Sequence, residues 1–579
     1  MFSFIHTYIP DTPFWDGLVK RGFIDNSSGL KLSYCSRVNP AHMFNEIAVP
    51  GGIVDRIVAE SDRLFYIDRI QGGSRLYFYD NDPALVRYYG DRYGERFLGF
   101  QIHETVSNFI SDYHKLLGDY GTYKGLTPEV LAARPTTAEG IAANILKTFP
   151  DPAGRLYIES QTVEQWLETP DLNDPAALLE SVKKLFLRRM TAADGTPQPL
   201  MIADSCVMAT RLEKELGLTC HMPEIGQQTP MVRVQLALVR GMMRGAGLPF
   251  GAYQEPWGGI PFSCCYFKRD GHTEWGKNDG EASTYNPAGE FGGSSLSLLR
   301  RVFYYAWLAG ASWLSEEWGA CNTFYDWQDF EITPYGQIKK DFIDFTHAHE
   351  ELGNLYTPIA IVLPKELKML NINAIAHDTN YFRFYEDLPY MADHAREWHI
   401  YEAIRRIYMD PDMTHAGEDT EWRSLTNNPL GDLFDIVYED TPGIGDRYRY
   451  FVDLTGKNTL HFSPERIIDG ADIDRMQADL LKLQDTLVPF RVEGKVHWLM
   501  DTVDGGYAVT FINNKGVLRS VANGERKDPA YGQDITVTLD DAVAGVDVLL
   551  ADTPLHRDGS RLTFRLEAGE MMILRLGIK

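Results

Sequence analysis

Eight carboxylates stand at or just beyond the ends of short apolar runs in residues 1–355: Asp68, Glu104, Glu159, Asp204, Glu224, Glu255, Glu316 and Glu317. One acid in such a place is commonly a helix cap or a solvated rim group. An acid after nearly every run suggests a shared site. Crowded, desolvated carboxylates repel one another and separate in pKa, which leaves one protonated and another ionised near neutral pH. Cleavage of a glycosidic bond needs that division, with a proton donor for the leaving oxygen and a carboxylate facing the anomeric carbon.

The apolar runs are short enough for strands and alternate with helical patterns, as repeated βα units do. Counted from Lys31, they are 31–38, 63–68, 97–104, 155–160, 199–205, 218–224, 249–255 and 311–317. Between them ALLESVKKLFLRRM carries an apolar stripe, and MVRVQLALVRGMMRGAG and SLSLLRRVFYYAWLAG each end in glycine. This predicts a (β/α)8 TIM barrel over residues 1–355, with the opening FSFIHTYI either an extra strand or strand one in a shifted register. Residues 356–487 read as a smaller α/β domain, Rossmann-like or trimerisation-like, and 488–579 as a β-sandwich of short alternating strands with Gly, Asn and Asp turns.

In a TIM barrel the chemistry sits at the C-terminal ends of the strands, where all eight acids fall. Gln101 and His103 alternate on the third run and share its inward face, and His221 and Glu224 lie on the sixth. Glu316 and Glu317 must point to opposite faces, so one looks into the barrel and the other toward the helices. Tyr253, Trp257, Trp313, Trp318 and the loop carrying Asn322 and Trp327 supply aromatic and amide groups for sugar rings, with packing as the structural alternative for each. With Asp68, Gln101, His103, Asp204, Glu224, Glu316 and Glu317 these form the expected substrate-binding set.

GAYQEPWGG, a glycine-rich loop, a long helix and SWLSEEWG follow one another in an order that resembles the end of the barrel in clan A glycoside hydrolases. The three-part layout is similar to that of family 42 β-galactosidases. The resemblance implies a retaining glycosidase with Glu255 as nucleophile and an acid/base at the end of strand four, usually just after an Asn. The count from Lys31 puts Glu159 there, preceded by Ile158, and this is the favoured assignment. YGERFLGFQIHE resembles the family's acid/base segment and points to Glu104, with His103 in the place of the Asn. The middle domain stands where that family carries a trimerisation domain, so a homo-oligomer is admitted.

The net charge of −25 offers no basic face for nucleic acid and disfavours an anionic membrane surface. No apolar stretch approaches the ~18 residues of a membrane span, and the N-terminus lacks a signal-peptide pattern. The six cysteines show no metal or redox spacing, three lie in apolar runs, and a cytoplasmic protein with buried thiols is expected. No cofactor or metal is called for, and the expected partner is a carbohydrate substrate. Two other classes remain. A metal-dependent sugar isomerase or epimerase could take Mg²⁺ or Mn²⁺ on Glu104, Asp204, Glu224 and Glu255 with His103 or His221. A non-catalytic carbohydrate-binding protein is the third reading.

Overall fold

The structure is a computed structural model. It describes residues 2–9, 12–32, 49–67, 83–103, 137, 139–140, 143, 200–205, 207–258, 263–265, 288–289, 292–317, 319–376, 395–409, 421, 423–456, 459–520 and 524–579.

The N-terminal part is a closed α/β barrel. Its parallel strands are Ser3–Tyr8, Gly29–Leu32, Phe65–Ile67, Phe97–His103, Leu200–Ala203, a sixth in two halves (Cys220–His221 and Glu224–Ile225), Gly251–Gln254 and Trp313–Glu316. The first half of the sixth strand pairs with the fifth and the second half with the seventh. Only Met222 and Pro223 separate the halves, so the sheet returns on itself as an eight-stranded ring. Helices follow the strands, among them Phe14–Lys20, Pro83–Tyr93, Thr210–Glu215, Val232–Gly245, Leu296–Leu308 and Pro334–Ala348.

The strand count that starts at Lys31 is corrected. Ser3–Tyr8 pairs in parallel with both Gly29–Leu32 and Trp313–Glu316, which makes it strand one and the closing element of the ring. Phe4 points outward against Phe303 and Phe342 while Ile5 points into the barrel. Phe97–His103 therefore becomes the fourth strand. It pairs directly with Leu200–Ala203, from Phe100↔Leu200 to His103↔Ala203, so no strand stands between them. The run 155–160, expected to be strand four, lies outside the described residues, as does the part of the 31–38 run beyond Leu32.

A second, four-stranded parallel sheet runs in the order Phe434–Tyr438, Ile359–Leu363, Tyr450–Asp453, Ile467–Asp469. Ile359–Leu363 is an unbroken apolar run, buried throughout, as a central parallel strand covered on both faces should be. Helix Val232–Gly245 lies between this sheet and the barrel, which explains why residues all around it are buried. At Gly241 a Cβ would come within 2.2 Å of the Ile436 carbonyl oxygen, so glycine permits the close approach.

Two four-stranded antiparallel sheets complete the chain. One is ordered Phe490–Glu493, Gln533–Leu539, Arg561–Leu566, His556–Asp558, and the other His497–Val503, Gly506–Ile512, Met571–Ile578, Val543–Ala551. Phe511 meets Phe564 and Phe490 meets Trp498 across them, at 5.4 and 5.2 Å between ring centres.

A buried charge joins all three parts. Arg233 of the barrel helix donates to Asp432 Oδ1, beside the second sheet, at 2.6 Å. The other oxygen, Oδ2, accepts from Nε2 of His497, on an antiparallel strand, at 2.7 Å. Asn514 holds the imidazole from behind, its amide nitrogen 3.2 Å from Nδ1, while its own oxygen accepts from Arg301 at 2.8 Å. That chain of donors fixes the proton of neutral His497 on Nε2.

Candidate active site

The barrel is filled from its N-terminal end by Ile5, Tyr66, Met201, Ala203, Cys220, Met222, Tyr253 and Trp313. Trp313 is the first residue of its strand, and Gly251 opposite leaves room for its indole, since a Cβ there would lie 1.9 Å from Nε1. Trp313, expected among the sugar-binding aromatics, is corrected to a core residue far from the strands' C-terminal ends.

Side chains become polar toward those ends. Glu255 directly follows the seventh strand, and its backbone N–H still bonds the carbonyl of Ile225 at 3.0 Å. Its carboxylate is fully buried. Oε1 accepts the amide of Gln228 and Oε2 the amide of Trp257, both at 2.9 Å. Two amides from different loops set the direction of the group. Gly226 makes the arrangement possible, because a Cβ at that position would fall 2.3 Å from Glu255 Oε1.

Trp257 also reaches the eighth strand. Its indole N–H donates to Glu317 Oε2 at 2.8 Å, so one residue orients two carboxylates, by its amide and by its side chain. Beneath them Lys31 is fully buried, with Nζ donating to the carbonyls of Glu316 (2.8 Å) and Glu317 (3.1 Å) and to the Tyr253 hydroxyl (3.2 Å). Its ammonium also lies 5.2 Å from the centre of the Tyr253 ring. The sequence reading passed over Lys31, Gly226 and Gln228. For Lys31 the signal was present: a lysine between Leu30 and Leu32 shares the alternate, inward face of its strand.

Several expected site residues lie elsewhere. Glu316 turns outward to an ion pair with Lys339 of helix Pro334–Ala348 at 2.8 Å. Burial raises its pKa above the ordinary carboxylate value, against the opposing charges of Lys339 and Lys31. Asn322 accepts from the same Lys339 at 2.6 Å, so both residues are corrected to the layer between strand and helix. Trp327 packs on Phe14 at 5.5 Å between ring centres and donates its indole N–H to the Ala320 carbonyl, which makes it a packing residue. Glu224 is buried beside Tyr253 on the neighbouring strand. Gln101 is buried on the fourth strand, with neither side-chain polar atom hydrogen-bonded among the described residues. Asp68, Glu104, Glu159, Trp318 and the side chain of His103 lie outside the described residues.

Asp204 is corrected as well. Cys220 and Met222 fill the barrel interior, so the residue between them, His221, points outward to helix Thr210–Glu215. There His221 Nε2 is 3.3 Å from Glu213 Oε2 and 3.6 Å from Asp204 Oδ2, and all three residues are buried. Burial and the charge of Asp204 push Glu213 up to about 8. Burial works against a charged His221, but the two carboxylates prevail and hold it at about 9. The ligand set expected for an isomerase therefore does not gather at the barrel mouth: Asp204 and His221 are on the outer side of the barrel wall.

No protein-family model matches the chain, and no curated protein sequence matches it. Solved structures similar to it include α-L-fucosidase isoenzyme 2 from Paenibacillus thiaminolyticus, at 10% identity and a TM-score of 0.43 over 100% of both chains. The β-galactosidase from Bacillus circulans sp. alkalophilus has 10% identity and a TM-score of 0.46, covering 100% of this chain and 99% of its own. Gan42B, a GH42 β-galactosidase from G. stearothermophilus, appears as a catalytic mutant at 8% identity and a TM-score of 0.46, over 99% and 98%. Among the described residues no helix is long and apolar enough to cross a membrane, and Cys220 and Cys321 are buried free thiols.

Proposed function

We propose that the chain is a glycoside hydrolase acting on a β-linked glycoside by a retaining, two-carboxylate mechanism. The reading is carried by one observation: a buried carboxylate, Glu255, held by two backbone amides just past the seventh strand of a closed parallel barrel. In this reading Glu255 attacks the anomeric carbon while a second acid protonates the departing oxygen. Water then displaces Glu255 with help from the same acid, now a base. Glu104 is the proton donor. It follows the fourth strand directly in sequence, so strand position and local motif both support this reading, with Glu159 as the alternative that the variants below separate. Glu317, Trp257 and Tyr253 form the floor and wall that receive the sugar. The layout as a whole is read as three units, 1–355, 356–487 and 488–579, the last a β-sandwich.

The test is a panel of aryl β-glycosides and oligosaccharides turned over by wild type, Glu255→Gly, Glu104→Gln and Glu159→Gln. Expected are loss of turnover by at least about 10³-fold in Glu255→Gly with rescue by azide, selective loss on poor leaving groups in Glu104→Gln, and near-normal rates in Glu159→Gln. An NMR time course should show the retained anomer first. Release of the inverted anomer, or activity abolished by EDTA and restored by Mg²⁺ or Mn²⁺, would overturn the reading.

A further inference from the structure

The cluster on the outer wall of the barrel is unrelated to the site at its mouth. Asp204 comes from the end of the fifth strand, His221 from the sixth, and Glu213 from the helix that joins them. Each is buried, and one ligand atom from each lies within 4.8 Å of the other two. Two carboxylates and one imidazole thus share a dry space. Among the described residues Asp204 Oδ1 and both oxygens of Glu213 accept no hydrogen bond. Two fully buried carboxylates face a single imidazole, which can balance at most one of them, so the second is costly unless a further positive charge sits among the three.

We infer that Asp204, Glu213 and His221 form a structural site for a divalent transition-metal ion of the zinc class. The separations fit such an ion. Ligands about 2.0–2.1 Å from a tetrahedral Zn²⁺ lie roughly 3.4 Å from one another, and His221 Nε2 is 3.3 Å from Glu213 Oε2 and 3.6 Å from Asp204 Oδ2. The Thr210 hydroxyl, also 3.3 Å from Nε2, stands where a fourth oxygen donor or its water would be. The imidazole selects against Ca²⁺ and Mg²⁺, which prefer all-oxygen shells of six or more ligands. A dication cancels two carboxylate charges and leaves the imidazole neutral. The ion would pin the turn between the fifth and sixth strands. That same turn carries Val207–Met208, which pairs with Leu370–Asn371 beyond the barrel.

Metal content decides the matter independently of turnover. The full chain, dialysed against EDTA and reloaded with Zn²⁺, Mg²⁺ or Ca²⁺ in turn, is assayed by plasma mass spectrometry and by thermal melting. About one zinc per chain is expected, with a Tm that drops on chelation and returns with Zn²⁺ alone. Glu213→Gln and His221→Gln should each lower zinc affinity by at least about 10-fold. Should those variants fail to fold, Co²⁺ bound to wild-type protein should show four-coordinate visible absorption, and X-ray absorption one imidazole with oxygen neighbours. Zinc retained undiminished in folded variants, sulfur in the Co²⁺ shell, or a wild-type Tm indifferent to chelation and zinc would overturn the assignment.

Discussion

The indole of Trp257 hydrogen-bonds Glu317 at 2.8 Å while the amide of the same residue hydrogen-bonds Glu255. Side chain and backbone of one residue therefore couple the seventh and eighth strands at the proposed site. Trp257→Phe keeps an aromatic side chain, though a smaller one, and removes the indole N–H. Hydrogen bonds to charged groups contribute about 1.5–3 kcal/mol, so kcat/KM on the best aryl glycoside should fall by about 10- to 100-fold. The amide to Glu255 survives, and a Tm close to that of wild type would accompany the loss.

Gly226→Ala places a methyl group 2.3 Å from Glu255 Oε1 and 2.5 Å from the Glu255 carbonyl oxygen, so the residue must shift. A displacement of about 1 Å in a reacting group can cost on the order of 100-fold in rate. Turnover should fall by at least that much although no catalytic group has been removed. A crystal structure of the variant should show the carboxylate rotated off its two amides.

Lys31→Met removes the buried hydrogen bonds to the Tyr253 hydroxyl and to the carbonyls of Glu316 and Glu317. Urea unfolding should show a loss on the order of 3 kcal/mol. Lys31→Arg should not recover it, because a guanidinium overfills a site already closed by Tyr253.

His497 is held down to about 4, chiefly by burial and then by the charge of Arg233. Asp432 is also depressed: burial opposes it, but the charge of Arg233 and the hydrogen bonds from Arg233 and His497 outweigh that burial. A lowered histidine pKa means that the unfolded chain takes up its proton first. Stability from this histidine is present above the ordinary value near 6.5 and is lost as pH falls from there through 4. Equilibrium unfolding between pH 7 and 4 should show that slope, and His497→Gln should reduce it, leaving the like contribution of buried His6, whose pKa burial also lowers. Asp432→Asn, which strands Arg233, should cost about 3–5 kcal/mol at pH 7.

Much of the barrel was legible because its strands are short apolar runs separated by helical patterns. The place of Glu255 just past the seventh strand was legible because it ends one of those runs. The first strand was harder, since its place depends on pairing with Trp313–Glu316 at the far end of the barrel, which no local pattern records. Missing it displaced the count by one and shifted weight from Glu104 to Glu159. Alternation showed that Glu316 and Glu317 diverge, but only Lys339, on a later helix, decides which one turns outward. Trp257 and Trp313 look alike in sequence. One stands beyond the end of its strand and the other at the beginning, and that difference separates a residue holding two carboxylates from a core plug. Gly226 left no trace, because its importance belongs to the oxygen beside it.

The Arg233–Asp432–His497 joint bears on how such a molecule can be taken apart. A fragment ending near residue 355 would carry Arg233 and Arg240 without Asp432 and Asp435, leaving two cations on a face made to be dry. Such a fragment should be insoluble however complete its barrel. Exchange of the C-terminal sheets with those of another protein would have to bring His497 and Asn514 along. In recombination, natural or engineered, the three parts should behave as one heritable block, with viable crossover points inside surface loops and not at the apparent boundaries.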